Sequence, residues 1–197
     1  MTNQEIAKVL RQIGYYLEMD DVPFKPFAYQ KAALIVEGLE EELSDIYKKG
    51  GLKVLEEIPG IGEGIGKKIE ELILTGKLRY YDQLKKKIPV DLEELLQIEG
   101  LGPKKIKVLY EKLKIRNIND LEAAAKTHKI APLFGFGEKT EKNILEGIAF
   151  VKKGEGRFLL DEIYPVAMEI VQRLRQLPEV KKISLAGSLR RMKETIG

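Results

Sequence analysis

Three short segments of the chain carry glycines and apolar residues at a spacing that suits the binding of phosphate groups. They occupy residues 58–62, 98–102 and 133–137, and in each a pair of glycines encloses one apolar residue. Glycine tolerates the positive φ of a tight turn, and a helix that starts at such a turn directs free backbone N–H groups outward. The sequence therefore predicts three backbone sites for anionic oxygens.

Lysines follow each glycine pair, where their charge would add to the amide contacts. They are Lys67 and Lys68, then Lys104, Lys105 and Lys107, then Lys139 and Lys142. No array of Asn, Gln and Arg that would read base edges accompanies them. The pattern indicates binding to a nucleic-acid backbone without sequence preference. The alternative is that each turn merely connects two packed helices, and its repetition along the chain disfavours this. The third turn is the weakest case because residues of both charges follow its glycines.

A second regularity places apolar residues where paired helices need them. One lies between the two glycines of each turn, and another follows the second glycine by seven positions, at Ile69, Leu109 and Ile144. The first would pin two helices together while the second packs beneath it, which is the pattern of a helix-hairpin-helix element. Glycines at alternate positions from 60 to 66 do not fit the G-x-G-x-x-G or P-loop phosphate motifs.

The composition excludes several other functions. The chain has 197 residues, 33% of them charged, and a net charge of +3, so DNA binding must come from local clusters. One cluster, Lys85 to Lys87, could equally be a solvated linker. With no cysteine and one histidine, disulfides and Cys/His zinc sites are excluded. No export signal or run of about 18 apolar residues occurs, and we expect a cytoplasmic monomer without membrane contact.

Apolar spacing predicts a chain built mainly of helices. The first runs from Asn3 to Met19 with Thr2 or Asn3 as its cap. The other predicted helices cover residues 27–42, 41–48, 65–74, 104–113, 140–152 and 161–176, with short helical segments at 52–57 and 91–97. Residues 180–185 read as a strand. The expected fold is mainly α, with two small helical helix-hairpin-helix subdomains followed by the start of an α/β unit.

Taken together, these residues resemble the amino-terminal part of a family X DNA polymerase, and more closely the bacterial form. The most specific pieces are the first turn with its Lys67-Lys68-Ile69, Thr75-Gly76-Lys77-Leu78, and Gly187-Ser188-Leu189-Arg190-Arg191. The resemblance implies a lyase-like DNA-binding domain at 1–82, a second DNA-binding subdomain at 83–154, and the beginning of a nucleotidyltransferase palm at 155–197. It also implies a longer enzyme, to which bacterial relatives often add a phosphoesterase domain.

The same resemblance implies a DNA-directed DNA polymerase that fills short gaps in DNA repair. Its partners would be gapped or nicked duplex DNA and a deoxynucleoside triphosphate, whose phosphates the family holds at positions matching Ser188, Arg191 and Gly197. A strand-to-helix turn with solvated arginines is the alternative for this segment. Polymerisation needs Mg²⁺ held by clustered aspartates that would follow Gly197, so we expect this portion by itself to be inactive as a polymerase.

Lys68 matches the lysine with which several family members remove a 5′-deoxyribose phosphate through a Schiff base. Attack on the sugar aldehyde needs a neutral amine, and we expect the neighbouring Lys67 to lower the pKa of Lys68. A surface lysine that contacts phosphate is the alternative. Lys25, Tyr29 and Lys31 match the family's 5′-phosphate pocket, although Tyr29 could equally be a core residue.

The resemblance also assigns DNA contacts and a monovalent cation, Na⁺ or K⁺, to the hairpin turns. The DNA contacts fall at Lys25, Tyr29, Lys31, Gly60, Gly62, Gly64, Gly66, Lys67, Gly100, Gly102, Lys104 and Lys105. The cation would be held by the backbone carbonyls of Glu56, Ile58, Ile61, Leu96, Ile98 and Leu101. Glu56 and Gly64 stand where better-studied relatives carry phosphate-binding lysines, which weakens the predicted 5′-phosphate pocket.

Two other functions stay open from the sequence. A non-enzymatic helix-hairpin-helix module of a repair complex would share the turns but has no need of residues 187–191. A template-independent or RNA-directed nucleotidyltransferase would share the Gly-Ser turn but not the repeated hairpins. Extension of a gapped duplex by the full-length protein separates these alternatives.

Overall fold

A computed structural model of the chain describes residues 1–154, 158–177, 180, 182–193 and 195–196. Helices dominate this part of the chain, which confirms the mainly α prediction. It divides into two compact units, Met1–Gly147 and Ile148–Gly197. The three-part division with boundaries after 82 and 154 stays a prediction. Within the described ranges, no helix combines the length and apolar character that crossing a membrane requires.

The first unit is built on two long helices that pack against each other. α1 spans Asn3–Met19 and starts with a capping box, in which Thr2 and Glu5 exchange side-chain and backbone hydrogen bonds. Its stripe of Ile6, Leu10 and Ile13 is fully buried. These features confirm the predicted bounds and the Thr2 cap.

α2 spans Lys25–Glu37 and so ends earlier than the predicted residue 42. Gly38 caps its C-terminus, since its N–H donates to the carbonyls of Leu34 and Ile35. The next helix then starts after Glu42. The sequence pattern missed this break because Leu39 continues the helical apolar spacing beyond the glycine.

Further helices follow α2 along the chain, and the last of them continues past residue 147. They are α3 Leu43–Gly50, α4 Leu52–Glu56, α5 Glu63–Thr75, α6 Arg79–Lys87, α7 Leu92–Leu95, α8 Pro103–Leu113, α9 Ile118–Lys126 and α10 Glu138–Gly154. The predicted helices after each glycine turn are confirmed as α5, α8 and α10. The sequence predicted no helix at α6 or α9, and α6 contains the three lysines read there as a linker or a phosphate contact.

The second unit contains a two-stranded ribbon and two helices. β1 (Phe158–Leu159) pairs antiparallel with β2 (Thr195–Ile196), while α11 spans Leu160–Arg175 and α12 spans Gly187–Arg190. The strand predicted at 180–185 is wrong at its described positions, 180 and 182–185, which adopt no strand conformation. A strand requires a neighbour that completes its hydrogen bonds, and no described residue pairs with this run.

Candidate nucleic-acid interface

The three glycine segments fold into the same tight turn. In each, the N–H of the fourth residue donates to the carbonyl of the first: Ile61 to Ile58 at 2.9 Å, Leu101 to Ile98 at 3.1 Å and Phe136 to Leu133 at 3.0 Å. The third residue is the first glycine of the pair, and its φ is positive in every turn: 96° at Gly60, 79° at Gly100 and 82° at Gly135. Glycine at this position is what a type II turn demands, and the prediction of positive φ is confirmed.

The second glycine starts the helix in the first two turns. Gly62 and Gly102 are the N-cap residues of α5 and α8, with extended backbones. Their carbonyls accept the first helical hydrogen bonds, from Gly66 at 2.8 Å and Ile106 at 3.0 Å. No atom lies within 4 Å of a Cβ built at Gly62, Gly64 or Gly102, so this backbone faces open space. The free amides of the first helical turn are those of Glu63 and Gly64 in α5 and of Lys104 and Lys105 in α8, because Pro103 has no N–H. They have no partner inside the helix and can therefore donate to an approaching phosphate oxygen.

The apolar residues of the hairpins pack as the sequence predicts in the first two turns. Ile61 and Leu101, between the glycines, are 1% and 4% exposed. The residues seven positions after the second glycine, Ile69, Leu109 and Ile144, are also buried. The third turn departs from the pattern because Phe136 is half-exposed and Phe134 is 99% exposed. Its helix also begins with two acidic residues, Glu138 and Glu141, which disfavour a phosphate there. By comparison, α5 begins with one, Glu63, which is paired with Lys67, and the first turn of α8 has none.

Two glycines of the first hairpin serve packing. A Cβ at Gly60 would lie 2.3 Å from Cδ1 of Ile35 and 3.8 Å from Cε of Lys31, so α2 passes directly beside the turn. A Cβ at Gly66 would lie 3.2 Å from side-chain atoms of Glu56 and Leu52, which brings α4 against α5. Their absent side chains therefore let helices approach one another.

Lys68 lies beside the rings of two tyrosines. Its Nζ is 4.9 Å from the ring centre of Tyr80 and 5.9 Å from that of Tyr29, and it donates to the carbonyl of Gly64 at 2.9 Å. Partial burial lowers the pKa of Lys68, and the nearby charge of Lys25 lowers it further. Sequence reasoning missed Tyr80, because nothing in its local pattern indicates which way its ring faces.

The prediction that Lys67 lowers the pKa of Lys68 is wrong. Lys67 forms an ion pair with Glu63 at 2.5 Å, and this carboxylate raises the pKa of Lys67 itself. Adjacent residues on a helix point about 100° apart, so sequence proximity did not bring the two ammonium groups together. The charge near Lys68 comes instead from Lys25, at the start of α2.

The other residues matched to a 5′-phosphate pocket lie around the same corner. Lys25 and Lys31 are exposed, whereas Tyr29 is only 6% exposed. Burial, followed by the proximity of Tyr80, raises the pKa of Tyr29 to about 12. Its burial favours the core role for this tyrosine. Glu56 is half-buried beside Gly66, and Gly64 is open to solvent.

The lysines of the second hairpin differ in their surroundings. Lys104 is exposed. Lys105 donates to the carbonyl of Gly100 at 2.9 Å, and its Nζ lies 5.8 Å from the ring centre of Phe136. This ammonium group therefore joins the second turn to the third.

The carbonyls proposed for a monovalent cation are partly engaged. Those of Ile58 and Ile98 each accept the hydrogen bond that closes a turn, which leaves one lone pair on each oxygen. The other candidates are the carbonyls of Glu56, Ile61, Leu96 and Leu101. No group of three or more His, Cys, Asp or Glu side chains within the described ranges is placed to hold a metal ion.

The predicted nucleotide contacts lie in the second unit. Gly187 has a φ of 58° and opens α12, which contains Ser188. Arg191 follows this helix and is exposed. Gly197 lies outside the described residues.

Comparison with known proteins assigns the class first. Residues 1–78 match the family model of a helix-hairpin-helix domain, and residues 92–149 match that of a SAM-like helix-hairpin-helix tandem. The turn at 58–62 lies in the first matched region, and the turns at 98–102 and 133–137 both lie in the second. The chain is thus a protein with two helix-hairpin-helix regions.

The full chain is similar to one particular polymerase. It is 36% identical over all 197 residues to the DNA polymerase/3′-5′ exonuclease PolX of Bacillus subtilis strain 168, and it covers 34% of that protein. We conclude that the chain is a homologue of bacterial PolX, which confirms the resemblance to a bacterial family X polymerase. It spans about a third of the length of this relative.

DNA ligases share parts of the chain. The ligase of Leptospira interrogans serovar copenhageni is 41% identical over 69 residues, or 34% of this chain and 10% of the ligase. That of Phocaeicola vulgatus is 27% identical over 178 residues, or 73% of this chain and 27% of the ligase. Similarity to two kinds of DNA enzyme means that the hairpin regions do not by themselves specify one reaction.

Proposed function

We propose that this chain binds the backbone of duplex DNA through its first two hairpins, without sequence preference. The observation that carries the proposal is the pair of open N-caps, Gly62 and Gly102, each at the start of a helix whose first amides face unobstructed space. Phosphate oxygens accept hydrogen bonds from such amides. The exposed Lys104 adds positive charge beside the second turn, whereas Lys67 beside the first is paired with Glu63. Both family matches and the names of the relatives support DNA as the ligand.

A substitution that keeps the helix cap but adds negative charge tests the proposal. Asp and Asn are both good N-cap residues, so Gly62→Asp and Gly62→Asn should fold at least as stably as the unaltered chain. The Asp variant should bind duplex DNA more weakly than the Asn variant, because its carboxylate would face the phosphate. Fluorescence anisotropy with labelled DNA measures this difference, and Gly102 allows the same pair of substitutions. Equal affinities for Asp and Asn at both positions would contradict the proposal.

The reaction that we infer for the whole protein is DNA-directed DNA synthesis in short gaps during repair. The match to PolX covers the entire chain, including the second unit, and this favours a polymerase over a ligase or a non-enzymatic module. The hairpins would then hold the two sides of a gap while Ser188, Arg191 and Gly197 contact the incoming triphosphate. The carboxylates that hold Mg²⁺ are not supplied by the described residues. A monovalent cation would be held by the turn carbonyls, and the cytoplasm is the proposed location.

We also propose that Lys68 removes a 5′-deoxyribose phosphate. The neutral amine would add to C1′ of the sugar aldehyde, and loss of water would give an imine. Loss of a proton from C2′ would then break the C3′–O bond and release the DNA strand with its 5′ phosphate, after which water would hydrolyse the imine and free Lys68. Its lowered pKa and partial shielding by Tyr80 and Tyr29 support this role. Borohydride should trap a covalent adduct with the unaltered chain and with Lys67→Ala, but not with Lys68→Ala. An adduct that persists in Lys68→Ala would refute the assignment.

A further inference from the structure

The tip of the third glycine turn exposes an aromatic side chain. Phe134 is 99% exposed, although the turn that carries it is closed by the 3.0 Å hydrogen bond from the N–H of Phe136 to the carbonyl of Leu133. The equivalent positions of the first two turns hold Pro59 and Glu99. The third turn therefore presents an apolar ring from a fixed backbone position where the other turns hold a proline or a charged side chain.

A second ring of the same turn is also less covered than its counterparts. Phe136 stands between the two glycines and is half-exposed. The first two turns bury Ile61 and Leu101 at this position, to 1% and 4% exposure. The third turn thus keeps the backbone of the other two but has aromatic rings where they have a solvated or a buried side chain. An accessible aromatic ring offers a flat stacking surface, and every nucleobase has a flat face that can stack on it.

This aromatic turn lies at the end of α8 that carries the free amides. Nζ of Lys105 is 2.9 Å from the carbonyl oxygen of Gly100 and 5.8 Å from the ring centre of Phe136, so the second and third turns are neighbours. Phe134 is two residues from Phe136, and their Cα atoms are therefore at most about 7 Å apart. The backbone N–H of Lys105 is itself one of the amides proposed to hold a phosphate. A nucleotide bound there has its base only one sugar away from that phosphate.

We infer that Phe134 stacks on an unpaired base of gapped DNA, and this inference rests on the proposed DNA binding by the second hairpin. Glu138 and Glu141 disfavour a phosphate at the third turn, whereas the face of a base carries no net charge. In an intact duplex both faces of each base are covered by stacking, and uncovering one is unfavourable. A base that has no pairing partner is unstacked at the least cost. The ring therefore favours DNA with unpaired bases over continuous duplex.

The size and position of the aromatic turn favour a base over a protein partner. A phenylalanine ring buries at most about 250 Å², so two rings supply no more than about 500 Å², whereas a stable protein interface buries about 800 Å² on each partner. A base needs only one face of one ring. The second and third turns also lie within one matched helix-hairpin-helix tandem, at residues 92–149. A protein docked on Phe134 would compete with DNA for the same end of α8.

The affinities for paired and gapped DNA test this contact. Phe134→Ala should weaken binding to a duplex with a gap of several unpaired bases by about 5- to 150-fold, the loss expected when alanine replaces a stacking aromatic residue. Binding to a fully paired duplex of the same length should change much less. Phe134→Trp keeps an aromatic face and should retain the gap affinity. The control Leu74→Ala removes another exposed apolar side chain, in the last turn of α5, and should leave both affinities unchanged.

The outcomes separate this contact from the hairpin sites. An unchanged gap affinity in Phe134→Ala would overturn the inference and leave the proposed backbone binding intact. Equal losses on gapped and paired DNA would also overturn it, because the ring would then contact duplex in general. Absence of DNA binding by the unaltered chain would overturn both the inference and the proposed function.

Tryptophan fluorescence provides an independent measurement. The chain has no tryptophan, so Phe134→Trp and Leu74→Trp each introduce a single fluorophore at an exposed position. Gapped DNA should quench the emission of the Phe134→Trp variant and not that of the Leu74→Trp variant. Absence of quenching at position 134 while gapped DNA is bound would overturn the stacking contact. Self-association of the unaltered chain that Phe134→Ala abolishes would assign the ring to a second copy and overturn it as well.

Discussion

At the scale of single residues, tertiary neighbours decide the chemistry of the lysines. Lys67 and Lys68 are adjacent in sequence, yet one is paired with Glu63 and the other lies against two tyrosines. Their pKa values move in opposite directions for this reason, upward for Lys67 and downward for Lys68. Only Lys68 is therefore shifted toward the neutral amine that a Schiff base requires.

The pKa of Lys68 should respond to Lys25 and not to Lys67. In Lys25→Gln a nearby positive charge is lost, so the pKa of Lys68 should rise toward its ordinary value of 10.5. Lys67→Gln, the matched control, should produce no comparable rise because Lys67 is not among the groups that shift Lys68. NMR titration of ¹³C-methylated lysines measures both values without DNA. A larger rise in the Lys67 variant would contradict the structure.

Glu141 is a second residue whose ionisation depends on its tertiary neighbours. It is 3% exposed, and its carboxylate accepts the N–H groups of Ile130 and Ala131 at 3.0 and 2.9 Å and lies 2.8 Å from Nδ1 of His128. Burial by itself would raise its pKa, but the hydrogen bonds from Ala131, His128 and Ile130 outweigh burial and lower it. The ionised form thus holds the loop that leads into the third turn.

Glu141→Gln should destabilise the chain most at neutral pH. The folded-state pKa is depressed, so the ionised carboxylate contributes stability above its ordinary value of 4.5, and this is lost as the pH falls through the folded value. We expect a loss of about 1–3 kcal/mol in the free energy of unfolding near neutrality, shrinking at pH well below 4.5. Urea unfolding at both pH values measures it. A difference that stays constant with pH would show that the charge is irrelevant.

At the scale of the hairpin element, similar glycines have different tasks. Gly60 occupies the positive φ of a turn that α2 also approaches closely, and Gly66 allows α4 to pack on α5. Gly62 and Gly64 face open space. The sequence treats all four as members of one glycine-rich motif, but the structure separates packing glycines from those exposed to a ligand.

Alanine substitutions should distinguish the two kinds of glycine in α5. Gly64→Ala adds a methyl group in open space and should raise the free energy of unfolding by up to about 1 kcal/mol, because alanine favours the helix. Gly66→Ala should be less stable than Gly64→Ala, since its methyl group meets Glu56 and Leu52 at 3.2 Å. Thermal or urea unfolding compares the two variants. If Gly66→Ala were the more stable variant, the contact between α4 and α5 would have adjusted to the added methyl group without loss of stability.

At the scale of the first unit, α1 connects the two helix-hairpin-helix regions. The hydroxyl of Tyr16 donates to the carbonyl of Val90 at 3.0 Å, and its ring meets that of Tyr81 edge to face. Lys8 forms an ion pair with Glu93 at 2.5 Å, and Lys107 pairs with Asp21. The two ion pairs join residues of the two family matches, while Tyr81 and Val90 lie in the segment between them. Both hairpins belong to one compact unit.

Tyr16→Phe should weaken both helix-hairpin-helix regions together. The variant leaves the carbonyl of Val90 without its tyrosine partner, which should cost about 1–3 kcal/mol. Native-state hydrogen exchange should show the same loss of protection at Leu10 in α1 and at Leu109 in α8. Tyr15→Phe, at a half-exposed neighbour, is the control and should have a smaller effect. Loss of protection confined to α1 would show that the two regions unfold separately.

The sequence by itself determined the helices and turns whose causes are local. Thr2 and Glu5 specify the start of α1, and glycine in the third position specifies the type II turns, because backbone conformation there depends on the residue and its immediate neighbours. The positions of Ile69 and Leu109 followed from helical periodicity. The resemblance to bacterial family X polymerases was also readable from the sequence, because it rests on short motifs at fixed spacing. The identity of 36% over all 197 residues to a bacterial PolX confirms it.

Only the tertiary structure decided which distant groups meet. The approach of Tyr80 to Lys68 and the link from Lys105 to Phe136 each join different elements. The strand prediction at 180–185 was wrong at its described positions for the same reason, because a strand forms only beside a partner strand and the local sequence does not specify that partner. Distances between remote elements are set by packing of the whole unit, and they determine the charge and burial on which this chemistry depends.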